Sequence, residues 1–247
     1  MNRLNHGLRR LGCLGSAIVG TVVTSITPAF SLTTTQVAEK LGSIPVFVLG
    51  FQNGESVSFL EETITTSNGE ATEISRVYLN PNDANAYLEL IQTENQELSE
   101  NLVVAGVPLG EVFCLSQQES QPCDTLNVQY QGDLPNFIYL PDRTQLEAAK
   151  TLLQQQGVTV APDRTFVPLF FTNVQVPEGN ARTLPFVYFN LDELRQAITE
   201  VQADPELSDA QFEIQVVEFN NLLQNLMSDN NPGLEELVFV PLFRVTQ

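Results

Sequence analysis

The residues able to do chemistry in this 247-residue chain are few, and their types exclude more than they allow. The single histidine, His6, lies ahead of an apolar run that reads as an export leader. With the leader removed no imidazole remains, so Ser-His-Asp and Cys-His nucleophile systems and histidine-ligated zinc or haem are not expected. No Gly-x-x-x-x-Gly-Lys-Ser/Thr loop is present, no Gly-x-Gly-x-x-Gly follows a strand, and no EF-hand loop occurs. What remains is carboxylate. Glu111 and Glu218 sit at matching places in the two halves of the chain, in or just after a third strand. A glycosidase needs two carboxyls facing a sugar-lined cleft, and such clefts usually carry aromatic platforms, whereas the chain has no Trp. The two acids therefore read as solvated side chains near strand ends. A secreted carboxylate-dependent hydrolase is the remote alternative. The expectation is a protein that is not an enzyme, with no catalytic residue, no metal and no cofactor.

Of the three cysteines, Cys13 falls in the leader, and Cys114 and Cys123 flank the polar loop Leu115 to Pro122. In an exported protein this pair is expected to be a structural disulfide, with free thiols as the alternative. Closing so short a loop contributes about 2–3 kcal/mol on the chain-entropy model, so it staples a loop and not the fold. A redox site would need Cys-x-x-Cys or a nearby histidine.

Residues 1–31 read as a signal peptide. Arg3, Arg9 and Arg10 form a basic n-region, Leu11 to Ile26 is apolar, and Ala29-Phe30-Ser31 suits a small-x-small cleavage site. The apolar run is shorter than the ~20 residues of a spanning helix, so no membrane insertion is expected after cleavage. All 30 Asp and Glu follow residue 31, against 8 Lys and Arg, which gives the mature chain a net charge of −22. A surface of that sign does not displace counterions from a phosphate backbone, so nucleic acid is not an expected partner. It also disfavours resting on an anionic membrane, and it keeps a protein dispersed by self-repulsion.

The elements that position these groups follow from periodicity. Apolar, β-branched runs predict strands at Ile44–Phe51, Ile74–Leu79, Leu102–Leu109, Phe137–Leu140, Phe166–Val174, Leu184–Phe189, Glu213–Phe219 and Leu237–Phe243. Helical spacing predicts helices from Pro81 (Ala84, Tyr87, Leu88, Ile91, Leu98), after Asp142 (Leu146, Ala149, Leu152, Leu153, stopped by Gly157) and after Asn190 (Leu191, Leu194, Ala197, Ile198, Val201). Asn190 with Glu193 reads as a variant capping box. Shorter helices are expected at Gln36–Leu41, Gly110–Leu115 and Leu222–Leu226. The Thr-rich stretch from Glu55 to Glu73 reads as a hairpin extension or a loose loop.

The same pattern occurs twice. Ile44-Pro45-Val46-Phe47 returns as Val167-Pro168-Leu169-Phe170, Val77-Tyr78-Leu79-Asn80 as Val187-Tyr188-Phe189-Asn190, and Ile138-Tyr139-Leu140-Pro141 as Val238-Phe239-Val240-Pro241. The order is kept and the offset shrinks, as expected for one duplication with shortened loops and not for a solenoid. The expected fold is α/β (α+β), internally duplicated, with two similar ββαβαβ halves related by a pseudo-twofold axis. Residues 32–157 form the first half plus a connecting helix and residues 158–247 the second, in one compact unit.

Large apolar residues on both faces of the strands require both faces to be covered. Phe47, Phe51, Leu169, Phe170, Phe171, Tyr188 and Phe239 are the candidates for an apolar client-binding groove if one face is left open by the helices. Core packing is the default for the same residues.

The ordered set Leu41-Gly-Ser-Ile-Pro-Val-Phe47, Val77-Tyr-Leu-Asn-Pro-Asn-Asp-Ala84, Val107-Pro-Leu-Gly-Glu-Val112, Phe137-Ile-Tyr-Leu-Pro141, Val167-Pro-Leu-Phe170 and Pro185-Phe-Val-Tyr-Phe189 with Leu191-Asp-Glu-Leu194 resembles the Tic twenty-two family over about residues 36–245. The resemblance implies a non-enzymatic, chaperone-like protein-transport factor with two similar α/β halves. It implies unfolded or precursor proteins as clients and, in cyanobacteria, outer-membrane biogenesis with a BamA-type insertase. The implied place is the periplasm, with the thylakoid lumen, or the intermembrane space for a plastid member, as alternatives. An envelope or luminal scaffold that binds one folded partner is the second reading.

Overall fold

The computed structural model describes residues 31–53, 56–66, 69–96, 101–117, 136–175, 182–204, 207–228 and 232–242. Helix α1 (Thr34–Leu41) opens them with a full capping box, in which Thr33 Oγ1 accepts the Gln36 N–H and Gln36 Oε1 accepts the Thr33 N–H. The first sheet is built from β1 (Pro45–Asn53), β2 (Ser56–Phe59), β3 (Glu62–Thr65), β4 (Ala71–Tyr78), β5 (Leu102–Pro108) and β6 (Asn136–Leu140). Strand β1 runs antiparallel to β5 from Pro45↔Pro108 to Phe51↔Leu102, and antiparallel to β4 at Phe47↔Tyr78 and Val48↔Val77. Beyond that point β1 and β4 separate, and each takes its own antiparallel ribbon, β2 on β1 and β3 on β4. The Thr-rich stretch is thus a hairpin extension. Strand β6 lies parallel to β4, from Ile74↔Asn136 to Tyr78↔Leu140.

The second sheet holds β7 (Pro168–Gln175), β8 (Arg182–Thr183), β9 (Phe186–Tyr188), β10 (Gln211–Glu218) and β11 (Val238–Val240) in the order β10-β7-β9-β11, with β8 on β7. The pairings along that order are antiparallel, antiparallel and parallel, as they are along β5-β1-β4-β6. Helices α2 (Pro81–Glu94) and α3 (Leu109–Gln117) belong to the first sheet's connections, and α5 (Leu191–Gln202), α6 (Phe219–Ser228) and the short α7 (Pro232–Glu235) to the second's. Helix α4 (Arg143–Gln155) joins the two and ends at Gly157, whose φ of +78° is a left-handed stop that side chains disfavour.

Strand alternation decides which face each side chain enters. The inner faces of both sheets share one core with α1, α3 and α6: Val46, Val48 and Val77 meet Leu169, Val187 and Phe239 through Leu109, Phe113, Phe219 and Leu226. The outer face of the first sheet (Phe47, Leu49, Tyr78, Leu102) lies under Ala84, Tyr87, Leu88 and Ile91 of α2. The outer face of the second (Phe170, Tyr188, Ile214, Val216) lies under α4 through Leu146, Ala149, Leu152 and Leu153 and under α5 through Leu191, Leu194 and Ile198. Each fully buried Phe or Leu contributes about 1.5–3 kcal/mol of transfer free energy. The expected stripes of α2, α4 and α5 face these cores; Leu98 lies outside the described residues.

Two local expectations change. The Asn190 capping box is half formed: Asn190 Oδ1 accepts the N–H of Asp192 and Glu193, but Glu193 Oε2 is buried without a partner among the described residues. The spacing of apolar residues also predicts no helix between Leu226 and the last strand, where Pro232–Glu235 wind into α7.

Candidate functional site

A cleft between the two sheets begins at β6, which among the described residues pairs only with β4. Phe137, Ile138, Tyr139 and Leu140 all line it. Successive side chains of a strand point to opposite faces, so four consecutive residues can share one cavity only along the strand's edge. The opposite wall is Thr165-Phe166-Val167, which leads into β7, and Glu218-Phe219-Asn220, where β10 turns into α6. The cleft has a volume of roughly 510 Å3, within the ~300–1,000 Å3 range of ligand sites.

Its apolar wall is fixed by packing. The Tyr139 ring meets Phe219 edge-on, with centroids 5.3 Å apart and planes at 76°, a favoured aromatic geometry. Phe219 in turn stands 6.0 Å from Phe189 of the second unit's β9–α5 turn. The Tyr139 hydroxyl is buried and makes no geometrically sound hydrogen bond among the described residues; burial pushes its pKa up against the lowering influence of the nearby Ser116 hydroxyl, which itself donates to the Phe113 carbonyl at 2.6 Å. At the rim Arg164 pairs with Glu218 and lies over the Phe166 ring at 5.7 Å.

A second, more polar hollow of roughly 630 Å3 lies beside α1, lined by Ser31, Leu32, Gln36, Glu39, Lys40 and Glu235. Its cation is already engaged: Lys40 Nζ donates to the carbonyls of Glu235 at 2.6 Å and Leu237 at 3.0 Å.

The residues singled out for an apolar groove are distributed over three clusters. Phe47 and Phe51 pack with α2. Phe170, fully buried, and Tyr188 pack under α4 and α5. Leu169, fully buried, Phe239 and Phe171 belong to the central core. None of the seven lines the cleft between the sheets. Cys114 is buried in α3 and disulfide-bonded; Cys123 lies outside the described residues. Glu218 lines the cleft and is tied to Arg164, while Glu111, in the first turn of α3, does not line it. Among the described residues no group of three His, Cys, Asp or Glu is placed to hold a metal, and no helix is long and apolar enough to cross a membrane.

Sequence reasoning passed over Phe137, Tyr139, Phe166 and Phe219. The available signal was that β6 is apolar on both faces in every position after Asn136. Which strand of a sheet lies at its edge is not written in local periodicity.

A family model described as the Tic22-like family matches residues 11–246. Among solved structures the chain is similar to Anabaena Tic22, described as protein transport, at 24% identity and a TM-score of 0.62 over 85% of this chain and 93% of that one. It is also similar to Tic22 from Plasmodium falciparum, at 19% identity and a TM-score of 0.53 over 83% of this chain and 91% of that one. At these identities the likeness carries the fold. No curated protein matches the chain.

Proposed function

The chain belongs to the Tic22-like family, and from that premise we propose that it is a chaperone-like protein-transport factor that escorts unfolded precursors across the periplasm. Its clients in this reading are outer-membrane proteins, delivered to a BamA-type insertase. The thylakoid lumen, or the intermembrane space for a plastid member, is the alternative compartment. The observation that carries the reading is the apolar cleft between the sheets, walled by Phe137, Tyr139, Phe166 and Phe219. A net charge of −22 after the leader keeps a loaded complex dispersed.

The reading is non-enzymatic. The one acid lining the cleft among the described residues, Glu218, is paired with Arg164, and its counterpart Glu111 does not line it. An acid–base pair needs both carboxyls across one substrate.

The two sheets are, in the same reading, copies of one ββαβαβ unit about a pseudo-twofold axis. The support is register. Phe47 stands opposite Tyr78 as Phe170 stands opposite Tyr188. Leu140 accepts the Leu79 N–H as Val240 accepts the Phe189 N–H, and Ile44 accepts from Leu109 as Val167 accepts from Phe219.

Light scattering of an unfolded outer-membrane barrel protein, diluted from urea with and without this protein, tests the proposal. Wild type suppresses aggregation at a few-fold excess, and Asn220→Trp, which fills the cleft from an exposed position, loses the effect while keeping its circular dichroism. No suppression by wild type at several-fold excess sinks the escort and leaves a scaffold that binds one folded partner.

A further inference from the structure

Resting on the client-escort reading, we propose that the cleft holds its client as an added β-strand: an extended segment, free of net negative charge, that hydrogen-bonds through its backbone to the outward edge of β6 at Phe137 and Tyr139. Edge strands present rows of unpaired N–H and C=O groups, and strand addition is a general mode of peptide capture.

The parity of β6 decides which groups are offered. The Leu140 carbonyl accepts the Leu79 N–H, so Leu140 and, by alternation, Ile138 turn their backbone groups toward β4. Phe137 and Tyr139 then turn theirs into the cleft, and no hydrogen bond among the described residues reaches them. Five residues of β6 amount to about 17 Å of strand, enough to seat a short extended segment.

The second sheet shows what satisfies such an edge. Strand β11 occupies the place of β6: Val240 accepts from Phe189, so Leu237 turns its carbonyl outward, and Lys40 of α1 donates to it at 3.0 Å. Helix α1 reaches that edge by lying against Gly110, where an added Cβ would stand 2.1 Å from the Ala38 carbonyl oxygen. At the cleft the equivalent helix is missing, since residues 157–164 carry none, and the residue in Gly110's place is Asn220. A side chain at that position keeps a helix from approaching as α1 does. A single extended chain, thinner than a helix of ~10–12 Å diameter, still enters. The net charge of −22 over the residues after position 31 disfavours an acidic segment.

The test uses a fluorescent ten-residue peptide of alternating Val and Thr with a Lys at each end, and the same peptide N-methylated at its internal residues. Methylation removes backbone donors and blocks close pairing while leaving the side chains intact. Anisotropy titration of the protein is expected to give binding that methylation weakens by roughly tenfold or more. Amide exchange at Phe137 and Tyr139 is expected to slow on binding, while Ile138 and Leu140, already bonded to β4, stay unchanged. Equal affinity for the two peptides, or protection that avoids Phe137 and Tyr139, overturns the added strand. If the unfolded barrel protein is held and methylation has no effect, only the strand addition falls. If neither the barrel protein nor the peptide binds, the escort reading falls with it. A concentration-dependent dimer that protects the same two amides without peptide assigns the edge to a second copy and also overturns the proposal.

Discussion

Gln145, in the first turn of α4, accepts the backbone N–H of Leu191, the first residue of α5, at 2.9 Å, and both are buried. Leu191 opens a helix, so its N–H has no intrahelical acceptor. The bond extends a chain of caps: Asn80, which caps α2, donates to Asp142, and Asp142 caps α4 through the Gln145 N–H at 2.9 Å. The starts of α2, α4 and α5 are thereby fastened to one another. Gln145→Leu leaves the Leu191 donor buried and unpaired, which costs about 1–3 kcal/mol. Urea unfolding should show the loss as a lower midpoint with an unchanged slope.

Asn80 and Asn190 cap α2 and α5 in the same way, each accepting from the residue two places on. Asn190→Ala is expected to cost about 1 kcal/mol. Asn80→Ala is expected to cost more, because it also removes a donor from Asp142. Equal losses in the two variants would show that the Asn80–Asp142 bond contributes nothing to stability.

Gly110→Ala puts a methyl group against the Ala38 carbonyl and the Gly42 nitrogen, at 2.1 and 3.1 Å. Backbone atoms cannot turn aside as a flexible side chain can, so a loss at or above the ~1–3 kcal/mol of ordinary overpacking follows. Asn220→Ala, at the corresponding exposed position, should shift the thermal midpoint by little.

Tyr139→Phe removes a hydroxyl that is buried and makes no hydrogen bond among the described residues, and it should stabilise the fold by about 1 kcal/mol. Its pKa is raised by burial above the ordinary value of 10.0. A tyrosine whose folded pKa lies above its unfolded one contributes stability that is complete below pH 10 and is lost as pH rises from there toward the folded value. Wild type should therefore weaken above about pH 10, and Tyr139→Phe should flatten that limb. Tyr78, raised by the same cause, leaves a residual slope. Thermal melts from pH 8 to 11 make the measurement.

Lys40→Met should free the Glu235 and Leu237 carbonyls while keeping an apolar stem of similar length at that position of α1. The expected outcome is faster amide exchange in α7 and β11 with the first sheet unaffected. Uniformly faster exchange would mean instead that Lys40 supports the whole fold.

Much of the fold was legible because it rests on short-range chemistry. The strand–helix junctions at Leu79-Asn80-Pro81 and Phe189-Asn190 announced both a strand end and a cap, and α2 and α5 start where those residues predict. The stripes Leu146-Ala149-Leu152-Leu153 and Leu191-Leu194-Ile198 faced the core expected of them. The candidate site was less legible. Phe170 and Tyr139 are both aromatic residues of apolar strands, yet the first is sealed beneath two helices and the second lines a cleft. The difference arises from α4, which leaves β6 and packs on the other unit's sheet, and from the residues before β7, which form no counterpart to α1.

By itself the sequence determined where strands and helices lie, which face of each is apolar, the recurrence of the ordered motifs and that His6 is the single histidine. Those properties depend on neighbours within a few residues, so periodicity and capping residues carry them. Only the tertiary structure decided that β6 pairs with β4 alone among the described residues, that Phe219 and Tyr139 meet, and that Gln145 satisfies a helix 46 residues away. Each of these depends on which sheet a connecting helix chooses to cover, a choice made by the summed burial of distant surfaces and not by any local run of residues.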